Sequence, residues 1–199
     1  MKSIGSPRRA ALALALLFSL ALLLQFPFSA AAQASAKPVY NPDRPEILHD
    51  KNLYAESAVL MEQHSGRVLY DMKGSQKMQP ASITKVMTLL LALENAELDD
   101  IVVVGSEINQ IPGDSSRCGL IQGERLTLES LLYGLMLKSG NDAAMTIAVH
   151  VAGSVDAFVA MMNAKAKELG CPNTRFANPH GYENQNAYTT ALDLSPTTI

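Results

Sequence analysis

The sequence predicts an α+β domain, and three observations carry that reading. A hairpin signal stands near the start of the fold, a largely apolar helix follows it, and a run of capped helical segments comes after. In AVLMEQHSGRVLYDM, Ala58 to Met72, two β-prone runs flank Gln63-His64-Ser65-Gly66, a hairpin pattern. In PASITKVMTLLLALE, residues 80 to 94, Pro80 stands where its missing N–H costs nothing, and a helix opening at Ser82 is predicted to run to about Glu97. Its body, VMTLLLAL, is apolar on nearly all sides, which places it at the centre of the domain.

The remaining elements follow in order. IVVV at 101 to 104 reads as a short buried strand. Thr127 is a cap for LESLLYGLML, with Glu129 in the first turn where an acid suits the helix dipole. That helix breaks at Lys138-Ser139-Gly140-Asn141, and Asp142 is expected to cap the next, DAAMTIAVHVAG, which ends at Gly153. Ser154 caps a further helix ending at Gly170. After a polar loop, Thr190-Ala191-Leu192-Asp193 has the form of a capping box, interrupted within a turn by Ser195-Pro196.

The N-terminal segment is not part of this domain. Lys2, Arg8 and Arg9 precede the apolar run ALALALLFSLALLL, and small residues follow it, so residues 1 to 32 read as a secretory signal, with cleavage possible as far as 36. Residues 37 to 50 are a Pro-rich linker, and 51 to 199 are the folded domain. The chain is therefore expected to be exported, to the cell wall, periplasm or extracellular space. No acidic residue lies in the signal, so the exported part carries all 19 acidic residues against 13 of the 16 basic ones, a net charge of −6. That argues against a nucleic-acid partner, which would call for a basic surface, and leaves no polybasic patch for anionic lipid.

Cys118 and Cys171 can form one disulfide in an exported chain, but two lone cysteines make no framework. Cys171, between Gly170 and Pro172, reads more naturally as a small buried residue. His49, His64, His150 and His180 are scattered, and neither Cys-x-x-Cys nor His-Glu-x-x-His is present, so no metal or other cofactor is expected.

The chemistry rests on two stretches. Ser82 and Lys85 are three residues apart at a helix start, hence on one face, beside unpaired N–H groups and the positive end of the dipole. A hydroxyl beside an amine that burial can neutralise is a candidate nucleophile with its own base. In LKSGNDAAM, Ser139-Gly140-Asn141 puts a hydroxyl and an amide into a corner between two apolar helices. Alone, the first is also an ordinary solvated helix start and the second an ordinary polar helix–helix turn. Together, in this order and in an exported chain, they point to one site.

With SGRVLYDM, PASITKVMT, LLYGLMLKSGNDAA, FANPHG and YTTALDL, the sequence resembles the serine D-alanyl-D-alanine carboxypeptidases, the low-molecular-mass penicillin-binding proteins, over about residues 52 to 194. The resemblance implies a penicillin-binding protein/β-lactamase-like fold, an antiparallel sheet packed on helices plus a helical subdomain. It makes Ser82 the acylated nucleophile, Lys85 its general base and Ser139 the proton relay. It also makes Asn141 the residue that binds the substrate amide and orients Lys85. The implied partners are a peptidoglycan stem peptide ending in D-Ala-D-Ala and β-lactam antibiotics. No Lys-Thr-Gly, the family's third motif, follows residue 141. By that comparison the C-terminal strands are expected to be missing, activity to be impaired, and membrane association to be undecided. Two other readings are a non-catalytic binding remnant and a class A β-lactamase, the latter disfavoured by Ser-Gly-Asn in place of Ser-Asp-Asn.

Overall fold

In the computed structural model, residues 53–195 are described; the signal segment and the linker expected at residues 1 to 50 lie outside the described residues. Strands β1 (Ala58–Met61) and β2 (Val68–Met72) pair antiparallel, Ala58 opposite Met72 and Leu60 opposite Tyr70, with an irregularity between Leu60 and Met61. The turn closes on Glu62, whose carboxylate accepts from His64 N at 3.1 Å and from Ser65 N at 2.7 Å, and from the Ser65 hydroxyl. Gly66 takes the left-handed conformation that this turn requires, at φ +66.

The helix predicted from Ser82 to about Glu97 is shorter and begins differently. A single 3₁₀ turn, Ala81–Ile83, runs directly into α1 (Thr84–Asn95), which stops where Ala96 becomes extended. Nor is α1 covered all round. Met87, Leu91 and Ala92 are buried, but Leu93 is 52% exposed. The centre belongs instead to α3 (Asn141–Ala152), in which every residue from Asn141 to Ala148 is buried. It packs against α1, α2 (Leu128–Leu137), α4 (Val155–Glu168), β3 (Ile101–Val103) and the 3₁₀ turn Ser106–Gln110. Small side chains explain the choice. Ala143, Ala144 and Ile147 pack into a cluster with Leu128, Leu131 and Leu135, while Ala148 meets Phe158 and Met162 on another side. Met145 meets Val104, Ile108 and Ile111 on a third.

Strand β3 pairs antiparallel with β4 (Arg125–Thr127), Val102 opposite Leu126. The stretch IVVV is not wholly buried as predicted. Val102 and Val104 face the core, whereas Ile101 and Val103 are each 52% exposed, the alternation of a one-sided ladder. Thr127 caps α2 by accepting from Ser130 N at 3.2 Å, and Ser154 caps α4 through Ala157 N at 3.2 Å. Thr190 caps the short α5 (Ala191–Leu194) through Asp193 N at 3.0 Å. Asp142 does not cap α3 as predicted. It lies inside the first turn and its carboxylate reaches across to the loop before β4, accepting from Cys118 N, Gly119 N and Leu120 N at 2.9, 2.8 and 3.1 Å.

The segment after α4 returns to the front of α1. Met78 and Thr189 exchange backbone hydrogen bonds of 2.8 and 2.9 Å, and Leu192 N donates to Gly74 O at 3.0 Å. Both cysteines are free thiols; Cys171 is buried and donates to Asp193 O at 2.9 Å. Among the described residues, no single helix is long and apolar enough to cross a membrane.

A core test follows from this packing. Leu135 is fully buried in the α2–α3 contact, whereas Leu137, two residues on, is 82% exposed. Leu135→Ala should lower stability by about 2–5 kcal/mol and Leu137→Ala by less than about 0.5 kcal/mol, read by urea denaturation.

Candidate active site

Ser82 sits in the middle of the 3₁₀ turn with its side chain exposed. The residue before it, Ala81, is left-handed at φ +47, a conformation costing a non-glycine residue about 1–2 kcal/mol. Gly181 presses on that turn. A Cβ at position 181 would lie 1.7 Å from the Ala81 carbonyl oxygen, so only glycine allows the approach.

Lys85 is in the first turn of α1 and only 2% exposed. Its Nζ lies 3.4 Å from Ser82 Oγ and donates a shorter bond, 2.7 Å, to the His180 carbonyl. The i, i+3 spacing thus delivers amine and hydroxyl to one face, at the long end of hydrogen-bond range. Burial pulls the Lys85 amine down to about 8, with Cys118 acting in the opposite sense. The His180 imidazole is pulled down to about 4, first by burial and then by the Lys85 charge, so it is neutral at physiological pH.

Ser139 follows α2 directly, half-buried and left-handed at φ +54. The corner is tied to the loop before β4. Ser116 Oγ donates to Lys138 O at 2.8 Å, and Asn141 N donates to Ser116 O at 2.8 Å. Asn141 is buried at the start of α3. Among the described residues, no hydrogen bond joins Ser139 or Asn141 to Ser82 or Lys85. The hydrogen bonds of the Lys85 amine go to Ser82 and to the His180 carbonyl. Cys118 lies between the two motifs. Its Sγ fills the space a side chain at Gly140 would need, 2.2 Å from the position of such a Cβ. Burial, and next the Asp142 carboxylate, push its thiol up to about 11, so it stays protonated.

Residues 178–182 and Cys118 were not singled out from the sequence for chemistry. Asn-Pro-His-Gly is a turn signal, but the atom that matters is a backbone carbonyl, which no side-chain pattern announces. Among the described residues, no group of three His, Cys, Asp or Glu side chains converges to hold a metal. Two concavities lined from α4, by Asn163, Lys167 and Cys171 and by Glu94, Met161 and Lys165, contain none of the residues above.

The fold is that of the penicillin-binding proteins. The structure superposes on penicillin binding protein 5 from Haemophilus influenzae with a TM-score of 0.68 at 32% identity, covering 76% of this chain and 46% of that one. It superposes on penicillin binding protein 6B from Escherichia coli with a TM-score of 0.69 at 32% identity, covering 77% and 51%. Residues 44–198 match the D-alanyl-D-alanine carboxypeptidase family, peptidase S11, and the chain belongs to it. It is 37% identical over 179 residues to the D-alanyl-D-alanine carboxypeptidase DacF of Bacillus subtilis, covering 87% of this chain and 43% of that protein. The chain thus spans about half or less of the length of these relatives.

The depressed Lys85 value has a consequence for stability. The folded chain releases this proton near pH 8 and the unfolded chain near 10.5. Between those values the unfolded state binds more protons, so stability rises with pH; below them both states are charged and the full penalty of burying the ammonium remains. From about pH 7.5 to about pH 10 the parent should gain about 1–3 kcal/mol relative to Lys85→Met. Urea denaturation at both pH values checks this, and a constant difference would mean that Lys85 titrates as a solvated lysine.

Proposed function

We propose that this chain carries the acylating half of a serine D-alanyl-D-alanine carboxypeptidase site, with Ser82 as nucleophile and Lys85 as base. One observation carries the reading: a buried amine with a pKa of about 8 lies 3.4 Å from an exposed serine hydroxyl at a helix start. A free lysine near 10.4 holds its proton at neutral pH, whereas this one gives it up within reach of physiological conditions. The family and its penicillin-binding relatives support the substrate class, a stem peptide ending in D-Ala-D-Ala, and β-lactams as its mimics.

In the proposed reaction Lys85 Nζ takes the Ser82 hydroxyl proton as Oγ bonds to the carbonyl carbon of the penultimate D-alanine. The Ser82 N–H, at the positive end of α1, offers one donor to the resulting oxyanion. The C–N bond then breaks. Ser139 relays a proton to the departing D-alanine amine, while Asn141 holds the substrate amide. Water hydrolyses the ester on Ser82 with Lys85 again accepting the proton. Residues 1 to 32 act, in this reading, as an export signal, so the reaction takes place outside the cytoplasmic membrane, in cell-wall metabolism.

Fluorescent penicillin should label the chain, and Ser82→Ala should abolish the labelling. Lys85→Arg should slow acylation by at least roughly 10²-fold, because a guanidinium keeps charge but cannot accept the proton. Labelling that survives in Ser82→Ala and maps to another residue would overturn the assignment.

A further inference from the structure

We propose that Asn178 is a positioning residue for Lys85. By closing the turn from Asn178 to Tyr182 on itself, its side-chain amide holds the His180 carbonyl against the Lys85 ammonium and keeps water away from it. Asn178 Oδ1 accepts from Gly181 N at 2.6 Å and from His180 N at 3.2 Å, and its Nδ2 donates to Tyr182 O at 2.9 Å. One side chain therefore satisfies three backbone groups of a five-residue turn. The fourth internal bond, Tyr182 N to His180 Nδ1 at 3.1 Å, uses the neutral imidazole.

So fixed, the turn meets one face of the nucleophile helix at three levels. Gly181 abuts the Ala81 carbonyl, the His180 carbonyl accepts from Lys85 Nζ, and the Pro179 carbonyl accepts from Thr88 Oγ1 at 2.6 Å. Positions 81, 85 and 88 are spaced as one helical stripe, so the turn is a clamp on the same stripe that carries Lys85. Without the Asn178 amide, three backbone groups lose their partners, and the turn gains by opening to water. Opening removes the His180 carbonyl from Nζ and replaces it with solvent. The far side of the turn is anchored separately, where Tyr182 Oη donates to the Asp114 carboxylate at 3.0 and 3.1 Å. The titratable groups beside Lys85 are Cys118, from the loop before β4, whose thiol burial keeps protonated, and His180, from the turn itself, whose imidazole is neutral.

The inference bears on the proposed reaction through Lys85, but its test reads the amine directly. In the full chain, with lysines labelled by ¹³C and ¹⁵N, the Lys85 Cε and Nζ resonances are assigned by their loss in Lys85→Met and followed against pH. Asn178→Ala should move the Lys85 midpoint upward by about one pH unit or more, toward the roughly 10.4 of a solvated lysine. Asn184→Ala, in the same excursion but away from the clamp, should leave it unmoved. Thr88→Val, which removes the helix-side anchor and keeps Asn178, should move it in the same direction by less. An unmoved midpoint in a cooperatively folded Asn178→Ala overturns the proposal. If that variant does not fold, an unmoved midpoint in Thr88→Val does so. A shifted midpoint in a chain that penicillin never acylates supports the clamp and overturns the functional reading instead.

Discussion

A lysine amine held out of water at the head of a helix is the constraint on which the rest of the site depends. An unpaired buried ammonium costs several kcal/mol, and the protein responds in two ways. It supplies acceptors, Ser82 Oγ and the His180 carbonyl, and it lets the pKa fall. Each demands structure elsewhere. The serine must lie one turn back along the stripe, which the 3₁₀ start of α1 provides. The carbonyl must come from a segment 95 residues further on, which explains why the chain after α4 runs back to the front of α1. The paired backbone bonds of Met78 and Thr189 seal that return just before the turn that carries Ser82.

Backbone strain collects at the same place. Ala81 and Ser139, one beside the candidate nucleophile and one the candidate relay, are two of the three non-glycine residues with positive φ among those described. Each strained position faces a glycine or adjoins one. Gly181 lets its turn touch the Ala81 carbonyl, and Gly140 lets the Cys118 thiol fit beneath the Ser139 corner. Strain of about 1–3 kcal/mol per residue persists only where surrounding contacts over-determine the conformation. Here those contacts are the clamp on one side and, on the other, the Asp142 carboxylate that holds three N–H groups of the Cys118 loop.

The local features were legible in the sequence and the tertiary choices were not. The hairpin around Gly66 and the caps at Thr127, Ser154 and Thr190 depend on residues within four positions of each other, and the structure has all of them. Asp142 was misread because an aspartate at a helix start can satisfy its own first turn or a distant loop, and only packing decides. The centre was misplaced for a similar reason. Hydrophobicity pointed to α1, but a helix surrounded on several sides needs small residues for close approach, and α3 has Ala143, Ala144 and Ala148. Ser82 and Lys85 were legible as a pair because i, i+3 geometry is local. The His180 carbonyl was invisible because its chemistry belongs to the backbone, and its side chain suggested only a scattered structural histidine.

Magnitudes show why such a costly arrangement is kept. At pH 7 a lysine with a pKa of about 8 is neutral in about a tenth of molecules, whereas one at 10.5 is neutral in only about three in ten thousand. Burial therefore enriches the proton-accepting form about 300-fold, equivalent to about 3 kcal/mol, a sizeable part of the 5–15 kcal/mol by which a domain of this kind is stable. Full desolvation without an acceptor would drive the pKa lower still, but it would leave a less basic amine and a less stable helix start. The His180 carbonyl at 2.7 Å and the Ser82 hydroxyl at 3.4 Å are the acceptors that offset that loss. That carbonyl belongs to a turn closed by Asn178 rather than to a helix or sheet, so the contact to the buried amine comes from an irregular segment.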